Sequence, residues 1–142
     1  MSEAQEKTAA AAAGAQAIAI KENGLAKARV FRYAETPGSK MANGAERREM
    51  VLGRLATGEA VEVHESVQPA GLAPNPAHVI HHSEFIVVVE GTMEYTHDGT
   101  KELANAGDVL YVAVGTNHSV RNAGNGPAKY VVFQISGDTT VS

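Results

Sequence analysis

The sequence predicts an all-β fold, a barrel or sandwich of short antiparallel strands. Three observations carry that expectation. Segments rich in β-branched residues recur at roughly ten-residue spacing, with turn chemistry between them. The apolar stock is aliphatic, with three Phe, four Tyr and no Trp among 44% hydrophobic residues, so the core must be built from Val, Ile, Leu and Ala. Nothing after Ala28 has the periodicity of a long amphipathic helix. At 142 residues the chain suits one domain with a real core.

The first stretch is different in kind. "MSEAQEKTAAAAAGAQA" is Ala-rich and offers no apolar face to bury. It lacks the basic start and long apolar centre of a signal peptide. Residues 1–27 therefore read as a disordered or weakly helical tail, and 28–142 as the barrel domain. The small-residue pattern of "AGAQA" leaves a trimmed export signal as a second reading of the tail.

The strands follow in order. "ARVFRYAE" carries β-branched and aromatic residues and reads as the first. "SKMANGAERRE" is a polar loop with an Asn-Gly turn. "EMVLGRL" and "EAVEVHESV" come next, and in the latter Val61 and Val63 alternate with Glu62 and His64, one apolar face against one polar. "QPAGLAPNPA" is a Pro-rich loop, and "EFIVVVEG" an apolar strand ending at a turn. "TMEYTHDGTKEL" reads as a hairpin turning at Asp98-Gly99. "GDVLYVAVGTNHSVRNAG" holds two short strands around a glycine turn, and "AKYVVFQIS" is the last strand.

Composition narrows the partners. The net charge is -4 with no basic run, which argues against nucleic acid or an anionic membrane as the main partner. No apolar segment is long enough to span a bilayer as a helix. The absence of Cys removes disulfides and thiolate chemistry, and fits a cytoplasmic or a periplasmic protein equally.

The chemistry concentrates in "HVIHHSEFIVVVEG", where three of the six histidines stand within seven residues of sequence that end on Glu84. "GDVLYVAVGTNHSVRN" adds His118 after a glycine turn. These two segments resemble the two motifs of the cupin family. The first motif is His, any residue, His, three or four residues, Glu, six residues, Gly, matched by His78, Glu84 and Gly91. The second is Gly, five residues, Pro, any residue, Gly, two residues, His, three residues, Asn. Gly107, Gly115, His118 and Asn122 match it, with Ala113 in place of the proline. The resemblance covers roughly Ala60 to Ser136 and implies a double-stranded β-helix, the jelly-roll barrel of cupins, with a divalent metal held inside by motif residues.

The spacing supports a site on its own terms. His78, Ile80, His82 and Glu84 share one parity and project together from an extended chain. Imidazoles and a carboxylate converging in an apolar barrel are costly unless paired or ligated. Neutral nitrogen with hard oxygen suits Mn, Fe, Ni, Co or Zn without choosing among them. One departure stands out: Ile80 occupies the place of the family's second histidine and cannot ligate. Either His82 or His81 replaces it, and parity prefers His82, which makes the expected metal set His78, His82, Glu84 and His118. Whichever of His81 and His82 stays off the metal is the candidate catalytic base. The alternative is a metal-free barrel that binds or senses a small molecule.

The remaining polar residues have blander expectations. His64 reads as a rim residue and His97 as an exposed residue beside a turn, far from the site. Gln134 is placed equally well at the rim or in the interior, and Asn122 supports the turn near His118. The resemblance implies a small organic substrate, chemistry of dioxygenase, isomerase or lyase type, and a homodimer. Open apolar edge strands argue for the dimer as well.

Overall fold

The computed structural model describes residues 25–74 and 76–136. The Ala-rich tail falls outside the described residues up to position 24. Among the described residues there are ten strands: β1 Ser39–Lys40, β2 Glu46–Arg54, β3 Ala60–Gln68, β4 His78–Val79, β5 Ser83–Glu90, β6 Thr92–His97, β7 Thr100–Asn105, β8 Val109–Val112, β9 Asn117–Asn122 and β10 Ala128–Ser136. They form a six-stranded sheet in the order β1-β2-β3-β10-β5-β8 and a four-stranded sheet in the order β4-β9-β6-β7. Every strand pairing is antiparallel. The fold is an all-β, double-stranded β-helix barrel.

Most of the expected strands stand where the patterns put them, with two exceptions: the expected loop "SKMANGAERRE" holds β1 and the start of β2 around its Asn-Gly turn, and the expected first strand is absent. "ARVFRYAE" forms no strand, and its only regular element is a 3-10 turn at Tyr33–Glu35. Its aromatics meet arginines instead of a ladder partner. The Arg48 guanidinium lies 4.0 Å above the Tyr33 ring and donates to the Tyr33 carbonyl at 3.3 Å. Arg29 lies 4.4 Å above Phe31. These cation–π contacts use aromatic rings that propensity assigns to a sheet.

The hairpin of β6 and β7 turns at Asp98, φ 47°, and Gly99, φ 82°, the two positive φ values of a type I′ turn. Gly91 is a glycine for a harder reason. Its φ is 83°, and a Cβ there would stand 2.7 Å from the Pro127 carbonyl oxygen. Asn122 staples the turn before β10. Its Nδ2 donates to the Gln68 and Gly126 carbonyls at 3.0 and 2.8 Å, and its Oδ1 accepts from Gly124 N–H at 2.9 Å.

The two sheets enclose an apolar cluster built from Ile80, Ile86, Val88, Met93, Leu110, Val112, Val132 and neighbours. Burying an aliphatic side chain of this size is worth about 1.5–3 kcal/mol. The inward face of β3 does not belong to this pattern. Glu62, His64, Ser66 and Gln68 are buried, while Val61, Val63 and Val67 face outward and are only half-buried. The alternation is as the sequence shows it, but the polar face is the one turned in.

Candidate functional site

The site forms where the sheets meet. β4 and β9 pair in register at His78 and His118, which places two imidazoles on the four-stranded sheet with ring centroids 4.6 Å apart. Glu84 enters from β5 of the opposing sheet. His118 Nε2 lies 3.6 Å from Glu84 Oε2, and His82 Nε2 lies 3.5 Å from Glu84 Oε1. Gln134 on β10 donates to that same Oε1 at 3.2 Å. His64, His78, Glu84, His118 and Gln134 line one cavity of about 190 Å³, with Arg47 also on its wall. That volume is worth about six waters.

Burial by itself would raise the Glu84 carboxyl. The hydrogen bonds of His118, His82 and Gln134, with the His118 charge, outweigh it and hold the group at about 2. Burial opposes the charge on His118 too, yet the Glu84 hydrogen bond and charge, helped by the Thr116 and His78 backbone, raise it above its ordinary value. The site therefore keeps an ionised carboxylate in a buried place because cationic and donor groups surround it.

The histidine tautomers follow from their backbone neighbours. His78 Nδ1 lies 3.3 Å from the Pro76 carbonyl, and His118 Nδ1 lies 3.3 Å from the Thr116 carbonyl. A carbonyl only accepts, so hydrogen sits on Nδ1 and a neutral ring keeps its lone pair on Nε2. This is how metal-ligating histidines are commonly oriented. A neutral His118 then presents a lone pair to the Glu84 carboxylate, and two acceptors facing each other need a proton or a cation between them.

The donor types and this spacing suit an ion. Two ligands on one tetrahedral ion with bonds of about 2.05 Å stand about 3.4 Å apart, close to the 3.6 Å between His118 and Glu84. Among the described residues no three or more His, Asp or Glu side chains are arranged as a ready chelate. An ion would be held by Glu84 and His118, with His78 beside them.

Four expectations about single residues meet the geometry differently. His82, expected as the replacement ligand, is fully buried and does not line the cavity. It faces the carboxylate oxygen that His118 does not, and its Nδ1 is buried with no hydrogen-bond partner among the described residues. His81, the other candidate base, is exposed, on the bend between β4 and β5. His64 is a buried cavity residue, 7% exposed, and not a rim residue. His97 is neither exposed nor remote. It is half-buried, pairs with Glu102 at 2.5 Å, and stands opposite His118 in the β6–β9 ladder. Glu62 and Arg47 were missed altogether, since a glutamate and an arginine on alternating strands carry no signal by themselves.

Two sheets closed over histidines and one buried carboxylate define a small barrel with a polar cavity between its sheets. The chain belongs to the cupin domain family, whose model matches residues 63–134. Solved structures agree on the fold. An RmlC-like cupin from Shewanella frigidimarina is 20% identical, covers 80% of this chain and 97% of its own, and superposes with a TM-score of 0.64. The polyketide cyclase RemF from Streptomyces resistomycificus is 15% identical, with 77% and 80% covered and a TM-score of 0.62. A Vibrio cholerae protein named for mannose-1-phosphate guanylyltransferase activity is 35% identical over 54 residues, which is 38% of this chain and 12% of that protein. This chain thus spans a small part of that relative. No helix among the described residues is long and apolar enough to cross a membrane.

Proposed function

We propose that this cupin binds a small organic molecule in the cavity between its sheets and acts on it with a divalent transition metal, Mn, Fe, Ni, Co or Zn. One observation carries the reading: two imidazoles with Nδ1 tied to backbone carbonyls stand beside an ionised, buried Glu84. Glu84, His118 and His78 would hold the ion. Such an ion supplies Lewis acidity or a redox centre at an open position, for chemistry of dioxygenase, isomerase or lyase type. The chain's own part is positioning. Gln134 and His82 fix Glu84 Oε1, which leaves Oε2 facing His118. Ile86, Val120 and Val132 give the cavity an apolar side for carbon atoms.

The test is metal content per chain for the parent and for His78→Ala, Glu84→Ala and His118→Ala, after expression with each of the five metals. Stoichiometric metal in the parent and most of it lost in each variant supports the reading. No metal in the parent, or unchanged metal in the variants, overturns it. A second reading, a metal-free binding or sensing barrel, is favoured by Ile80, 1% exposed where the family's second histidine would stand.

The reading includes a homodimer through the outer face of the six-stranded sheet. Val63, Phe133, Phe85 and Tyr111 form one cross-strand row there, and Phe85, Phe133 and Tyr111 are 39%, 37% and 54% exposed. Contiguous exposed rings of this kind mark association surfaces. Light scattering at micromolar concentration should return twice the chain mass, and Phe85→Glu should return the monomer. A monomeric parent rejects the dimer.

A further inference from the structure

A second polar group shares the cavity with Glu84 and His118, and the proposed metal chemistry leaves it unused. Glu62 and His64 stand on the inward face of β3, 4% and 7% exposed. His64 Nδ1 lies 2.7 Å from Glu62 Oε1. Arg47, from β2, donates through Nη2 to Glu62 Oε2 at 3.1 Å, and its Nη1 lies 3.4 Å from His64 Nε2. A guanidinium can only donate, so Nε2 is the accepting nitrogen and Nδ1 carries the hydrogen that Glu62 takes. The ring is held in one tautomer from both sides. Arg47 has five N–H donors. These two contacts engage two of them.

The sheet register spaces the two groups. Gln134 stands opposite Glu62 on one side and Glu84 on the other. The two carboxylates are thus two strand spacings apart, about 10 Å at the backbone. One end of the cavity holds the Glu84 carboxyl with its partners His118 and Gln134. The other end holds the fork of Arg47, whose side chain is 36% exposed. A bidentate pair with a carboxylate is what such a fork favours.

We propose that Arg47 and His64, held in place by Glu62, form a carboxylate-binding subsite. The molecule bound here is then a small organic acid whose carboxylate lies on Arg47 and whose far end reaches His118 and Glu84. This rests on the reading of the cavity as the substrate site, but not on the metal.

Succinamate, which has one carboxylate and a neutral amide at its far end, is a suitable probe, with the neutral succinamide as its control. Side-chain NMR signals of His64 and His118 in the full chain are followed during titration. Succinamate should shift the His64 signals saturably, and succinamide should not. The double variant Arg47→Gln/Glu62→Gln removes both charges together, so no buried charge is left unpaired. It should weaken succinamate binding by about tenfold or more. Arg47→Lys keeps the charge without the fork and should fall between, and it serves in place of the double variant if that does not fold. The subsite is overturned if succinamide binds as well, if His64 does not respond, or if affinity survives loss of the Arg47 fork. Metal content reads the proposed centre separately. A chain that binds succinamate through Arg47 yet never holds metal keeps the subsite and rejects the metal, and the reverse result does the opposite.

Discussion

Replacing Glu84 by Gln in metal-free protein should make stability depend on pH in a specific way. The carboxyl is brought from its ordinary 4.5 to about 2. At about 1.36 kcal/mol per pH unit, the fold favours the charged form by about 3 kcal/mol. The group is buried, 7% exposed, so solvent does not screen that sum away as it would at the surface. The sign follows from the depressed value. The stabilisation is complete above about pH 4.5 and is lost as pH falls toward about 2, where both folded and unfolded carboxyls take up a proton. His118, raised above its ordinary 6.5, is charged through that whole window. Urea denaturation of parent and variant from about pH 6 down to about pH 2 measures the difference. The parent should be more stable by about 3 kcal/mol at the upper end, with the gap closing at the lower. A gap that stays constant with pH would mean that Gln fails for reasons of shape, and the electrostatic account of Glu84 would be wrong.

Other outcomes follow from the same geometry. Gly91→Ala places a Cβ 2.7 Å from the Pro127 carbonyl oxygen at a φ of 83°, so calorimetry should show a loss of about 2–3 kcal/mol. An unchanged melting temperature would mean that the turn relaxes freely. Ile80→His puts an imidazole into a position that is 1% exposed, which should cost about 1–3 kcal/mol in metal-free protein. Added Ni or Mn should restore that loss if the family's fourth ligand is regained, and thermal melts with and without metal decide it. His97→Ala, which sequence alone would make a silent control, should disturb the site, because His97 stands opposite His118 and packs at a tilt against Tyr95, ring centroids 4.7 Å apart. A shifted His118 NMR signal checks this, and an unmoved one refutes it.

The sequence by itself determined the barrel and the address of its site. Alternation and glycine turns located β2 and β3, the β6–β7 hairpin and β8 to β10, because hydrogen-bonded ladders and positive-φ turns are local requirements. The motif spacing named His78, Glu84 and His118, but the single extended run expected to project His78, Ile80, His82 and Glu84 together is broken: His78 lies on β4 of one sheet and Glu84 on β5 of the other, with a bend at His81 and His82 between them. Only the tertiary structure decided which face is the inside. On β3 the valines lie outward and Glu62 and His64 inward, the reverse of what burial of apolar surface prefers. The inward polar groups are tolerated because Arg47 and each other satisfy them, and those partners come from strands whose neighbours the linear sequence does not name. The same holds for His82 and His81. Their one-residue separation was legible, but which oxygen of Glu84 faces His82, and that His82 does not line the cavity, depends on where β5 meets β10 and β9. Pairing partners and burial are properties of the closed barrel, and closure brings together residues far apart in the chain.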